Sequence, residues 1–250
     1  MRLYNNLINE IRDNFSSSKP LASGNSLNVS NKNSVIFLSD TAFELGGNQK
    51  PCVSSLAVSS DIVFSNSVHL LGDDLNQIKS DSPFGKFAFI QIQDFDNEQN
   101  TFDKIKELEA LRYHLNIDGF MTRASALNMR EQIRVSKNAI KSGVVFADYG
   151  QTLLREFLKF DYVKSAEIYF VTDFDEFEKL DSVAKKISQT TSALNHIFDN
   201  VMFDCSTCNL KEICDEVDGL KELHLKTVKK WTYIKKEATK PLFLCLLVKI

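Results

Sequence analysis

Apolar and polar positions along this chain follow two periods in turn, one helical and one strand-like. Leu3, Leu7, Ile8, Ile11 and Phe15 recur at helical spacing, which predicts an opening amphipathic helix that must dock on its own core or on another subunit. Residues 16–33 are mostly Ser and Asn, with Pro20 and Gly24, the composition of a linker or mobile loop. Short β-rich runs follow over 35–38, 53–58, 68–71 and 87–92, separated by turns bearing Gly, Asp and Ser, and they read as strands of one sheet. Asn100 or Thr101 then starts a helix with Ile105, Leu108, Leu111 and Leu115 on one side, and Gly119 closes the connection that follows. Residues 133–142 carry strand and helix cues together, with Gly143 as a C-cap, and their inner boundary stays open. Residues 149–160 predict a helix and 166–172 a buried strand. Asp173 or Asp175 caps a long helix with Phe177, Leu180, Val183, Ala184 and Ile187 on one side.

Alternating strands and helices define an α/β fold, a mixed sheet with flanking helices, followed by a small Cys-containing C-terminal metal-binding region. Three parts are expected: an N-terminal helix and linker over 1–33, an α/β domain over 34–200, and a cysteine region with a final strand over 201–250.

Composition narrows the function classes. The 43% hydrophobic and 25% charged residues exclude a disordered or fibrous chain, and only 9 Gly and 4 Pro in 250 residues point to long regular elements. With 30 basic against 33 acidic residues the formal charge is −3, so no global field draws the chain to nucleic acid, and none is expected as a partner. A local basic stretch exists: Lys221, Lys226, Lys229, Lys230, Lys235, Lys236 and Lys240 surround Trp231 and Tyr233. It could hold the phosphates of coenzyme A or stack on a single strand, although a solvated face is the simpler reading. The apolar run over 241–248 falls short of the roughly 20 residues that cross a bilayer and reads as a buried strand, so no membrane is expected. Asn5, Asn6, Glu10, Arg12 and Asp13 interrupt the N-terminus as a signal peptide, which places the expected location in the cytoplasm. The 19 Phe against 1 Trp read as core filling, and no Ser-His-Asp order, phosphate loop or paired carboxylate motif stands out.

The cysteines carry the sharper signal. Cys205, Cys208 and Cys214 form a C-x2-C-x5-C pattern, while Cys52 and Cys245 lie far away, a spacing that suits a metal clip better than a disulfide framework. Two thiolates three residues apart can grip one metal or one cluster corner. An iron-sulfur cluster held by three cysteines is favoured, with zinc as the alternative. Cys52, Cys245 and His224 are the candidates for a fourth ligand. His69, His114 and His196 read as structural.

Phe43 to Gly47, Val68 to Leu75, Met129 to Lys137 and Ile168 to Asp173 resemble, in that order, segments of the β subunit of carbon monoxide dehydrogenase/acetyl-CoA synthase. Phe43-Glu44-Leu45-Gly46-Gly47 looks like that family's Glu-Leu-Gly-Gly turn. Val68 to Leu75, with Gly72, Asp73 and Asp74, is similar to its strand and acidic turn. Met129 to Lys137, with Gly143, Gly150, Leu153 and Leu154 behind it, looks like its Arg-Ile-Ser-Lys segment and following helix. Ile168 to Asp173 looks like the strand leading to the cluster cysteines. The resemblance implies a [4Fe-4S] cubane at Cys205, Cys208 and Cys214 and an acyltransferase-like role in acetyl-CoA or one-carbon metabolism; coenzyme A at the basic stretch and a protein docked through the N-terminal helix are the expected partners from the residues themselves. In the family a Cys-Gly-Cys peptide holds the outer nickel. This sequence has no Cys-Gly-Cys, its gap from Cys208 to Cys214 is shorter, and the family's large N-terminal domain is expected to be missing. A reduced, cluster-binding relative is therefore expected rather than a full two-nickel synthase. From a different class, the alternative is a non-enzymatic interaction module with structural zinc at the same cysteines; a third reading is a metal-free binder of a phosphorylated ligand.

Overall fold

A computed structural model describes residues 4–30, 35–47, 52–125, 130–199, 207–217 and 219–227. They fall into two compact units, Met1–Gln189 and Thr190–Ile250.

The first unit is α/β, with a mixed five-stranded sheet at its centre. The strands are β1 (Lys19–Pro20), β2 (Val29–Ser30), β3 (Thr41–Leu45), β4 (Cys52–Val58), β5 (Ser67–Leu71), β6 (Phe84–Ile92), β7 (Asn116–Ile117), β8 (Phe120–Ala124), β9 (Glu131–Ser136) and β10 (Val163–Val171). The helices are α1 (Asn5–Asn14), α2 (Glu98–His114), α3 (Lys137–Lys141), α4 (Phe146–Phe157) and the first part of α5 (Phe174–Phe198). The large sheet runs β1-β5-β10-β6-β4, with β10 parallel to β5 and antiparallel to β6, and β4 parallel to β6. A three-stranded antiparallel sheet, β3-β9-β8, lies beside it, and β2 pairs with β7. β4 is buried at every position and β6 at all but two, as expected of strands covered on both faces. Phe84, Phe146 and Phe170 stack between sheet and α4 with ring centres 4.7 to 6.1 Å apart, so the phenylalanines fill the core as expected.

The apolar stripe of α1 is spent on this core. Tyr4, Leu7, Ile8, Ile11 and Phe15 are buried, and Phe15 stacks on Tyr169 at 4.3 Å and meets Phe87 edge-on at 5.5 Å. Of the two docking surfaces left open for the apolar face of this helix, its own core is the one it packs on. The Ser/Asn-rich segment after it is strapped to the domain. Leu21 N–H donates to the Val68 carbonyl, Asn25 N–H to the Asp148 carboxylate at 2.7 Å and Leu27 N–H to Thr152 Oγ1.

Several boundaries move for local reasons. Residues 35–38 form no strand: Val35, Phe37 and Leu38 are exposed and Leu38–Asp40 is a 3-10 turn. The strand comes at Thr41–Leu45, where Phe43 and Leu45 alternate inward. The α2 cap is Asn97, whose side chain accepts from Asn100 N–H, three residues before the expected start. The ambiguous 133–142 stretch is both things in turn, strand to Ser136 and then helix, with Ser136 Oγ accepting from Ala139 N–H. Asp173 does cap α5, accepting from Glu176 N–H at 3.0 Å.

In the second unit the described residues are the end of α5, α6 (Lys211–Glu216) and a helix over 220–227. The expected final strand over 241–248 lies outside the described residues.

Candidate functional site

The first unit holds a partly open pocket of about 40 Å³ between β4 and β6 on one side and α2, α4, β8 and β9 on the other. A buried polar network forms one wall. Lys86, a single charge in the apolar run of β6, ion-pairs with Glu131 at the start of β9, and Ser54 Oγ donates to the other Glu131 oxygen at 2.8 Å. Burial is the largest influence on Lys86 and opposes its charge, but Glu131, Tyr149 and Cys52 together outweigh it and raise the ammonium above its ordinary value. Burial also raises Tyr149, which stands over the pair and bonds to Thr122. Each buried charge thus has its counter-charge, the condition under which such a pair persists.

The opposite wall is unfinished. Ser55 Oγ, Glu109 Oε1, and Arg112 Nε and Nη1 are buried and have no hydrogen-bond partner. Ser55 projects from β4, while Glu109 and Arg112 share a face of α2 at i and i+3, each half-buried. Burial pushes the Glu109 carboxyl up to about 7, against the opposing pull of Arg112 and Lys106. The remaining guanidinium nitrogen of Arg112, Nη2, donates to the Ser125 carbonyl and to Tyr113 OH, both at 2.7 Å.

A second, more open pocket of about 310 Å³ shares Glu131 with the first and is lined by Gly46, Cys52, Arg123, Arg130 and Gln132. Burial, then the Glu131 carboxylate, push the Cys52 thiol up to about 12, so it stays protonated at neutral pH.

The sequence-predicted metal residues lie in the second unit. Cys208 and Cys214 bracket the start of α6: the Cys208 carbonyl accepts from Lys211 N–H at 3.2 Å, and Cys214 N–H donates to the Leu210 carbonyl at 3.1 Å. Both side chains are half-buried. Cys205 and Cys245 lie outside the described residues, as do the lysines from Lys229 onward with Trp231 and Tyr233. Among the described residues no group of three or more His, Cys, Asp and Glu is arranged to hold a metal. Lys221 pairs with Asp215 on the surface at 2.6 Å. His69 is structural, stacked on Tyr169 at 4.5 Å and hydrogen-bonded to Ser67.

The network residues were not singled out from sequence. Lys86 is the one with a visible signal, a lysine embedded in Phe-Gly-Lys-Phe-Ala-Phe, where a charge demands a partner. Glu131, Glu109 and Arg112 have no such mark, because each sits among ordinary polar neighbours.

The segments that carry the family resemblance converge here. Glu44 of β3 is bound by Arg134 and Gln132 of β9. Asp74, in the acidic turn after β5, accepts from Phe146 N–H at the start of α4 at 2.8 Å, and Thr172 Oγ1 donates to the Asp73 carbonyl at 2.9 Å. Fold and site therefore define a mixed α/β domain with a buried polar centre, held together by its own turn motifs. A profile of the CO dehydrogenase/acetyl-CoA synthase complex beta subunit family matches residues 31–177, more than half of the chain, and the chain belongs to that family. The matched residues end within α5, before Cys205, Cys208 and Cys214. Comparison with curated proteins returns no match. No helix among the described residues is long and apolar enough to cross a membrane.

Proposed function

We propose that this chain serves a CO dehydrogenase/acetyl-CoA synthase-type assembly as a reduced, cluster-carrying relative of the synthase, with Cys205, Cys208 and Cys214 holding an iron-sulfur cluster in the cytoplasm. Family membership supports the assembly, because the matched family is that of a complex subunit. The observation that carries the cluster is the pair of half-buried thiols of Cys208 and Cys214 bracketing the first turn of α6, with Cys205 three residues before Cys208. Such thiols fit a soft metal centre. An iron-sulfur cluster bound by three cysteines supplies an iron open to an external ligand, which suits acyl or one-carbon chemistry with coenzyme A. Without Cys-Gly-Cys the chain lacks the family's outer nickel ligands, so autonomous acetyl-CoA synthesis is not part of the proposal.

The test is metal and acid-labile sulfide content on the full chain purified without oxygen, read beside its visible spectrum. About four iron and four sulfide per chain, lost together in Cys208→Ala and Cys214→Ala, is the expected result. Stoichiometric zinc with unfolding by chelator would overturn the cluster and make this a structural zinc module.

A further inference from the structure

We draw no further inference here: the strongest candidate, the exposed apolar patch of Val35, Phe37 and Leu38 ahead of β3, whose backbone is pinned by Arg134 donating to the Ile36 carbonyl and Lys137 to the Ser39 carbonyl, carries nothing because nothing in the structure shows what covers it.

Discussion

Glu44 on β3 and Arg134 on β9, 90 residues apart in sequence, meet at 2.7 Å with only 12% of each side chain exposed. The contact locks the Glu-Leu-Gly-Gly turn to the strand that also supplies Glu131, so the small sheet and the buried network share one element. Removing one partner leaves the other charge stranded in a poorly solvated place. Arg134→Met should lower stability by about 3 kcal/mol, and the double variant with Glu44→Leu should recover much of that loss, since a matched apolar pair strands no charge. Urea unfolding of the two singles and the double closes the cycle; additive losses would show that the pair is not coupled.

Gly72 and Gly143 both take positive φ, +111° and +80°, yet they should respond differently to a side chain. A Cβ at Gly72 would meet Thr172 Oγ1 at 2.5 Å and Asp173 N at 2.6 Å, in the joint where β5, β10 and α5 come together. At Gly143 nothing lies within 4 Å. Gly143→Ala should therefore cost about 1 kcal/mol for backbone strain alone, and Gly72→Ala about 3 kcal/mol or more because backbone must also move. Thermal unfolding of the two variants checks the ranking, which equal losses would contradict.

These glycines show which parts of the fold were legible beforehand. Four strands of the large sheet are mostly apolar runs bounded by turns, so 53–58, 68–71, 87–92 and 166–172 can be read directly, whereas β1 (Lys19–Pro20) carries no such run and lies in the segment that reads as a linker. The residues over 35–38 misled because an apolar run without a partner strand looks the same on paper as one with a partner. β8 went unread for the opposite reason: Met121-Thr-Arg-Ala is half-exposed and gains its strand character from pairing with β9. The polar centre was illegible because it is assembled across the fold. Ser54, Lys86, Glu109 and Glu131 come from four elements, and no spacing in the chain announces that they meet.

Cysteine reactivity separates the two regions of the chain. With the thiol pushed up to about 12, Cys52 holds about one part in 10⁴ as thiolate at pH 8, and burial hides it further. In metal-free folded protein, iodoacetamide should label the half-buried Cys208 and Cys214 well before Cys52, as followed by peptide mass mapping. Labelling of Cys52 at the same rate would mean that the second pocket opens to solvent readily.

Glu109 gives the chain a definite pH signature. Its carboxyl is raised from the ordinary 4.5 to about 7, so between those values the folded state holds a proton that the unfolded state has released. Stability from this group is therefore fully present below about 4.5 and declines as pH rises toward 7, the reverse of a salt-bridged carboxylate. Burial is the cause, with Arg112 and Lys106 pulling the other way but not prevailing. Glu109→Gln keeps the shape and removes the ionisation. It should stabilise the protein by roughly 2 kcal/mol at pH 8 and leave it nearly unchanged at pH 4.5. Urea midpoints at pH 4.5, 6 and 8 read the difference directly. A constant offset between the two proteins across that range would show that Glu109 ionises as freely in the fold as in water, which its orphaned Oε1 against the cavity wall argues against.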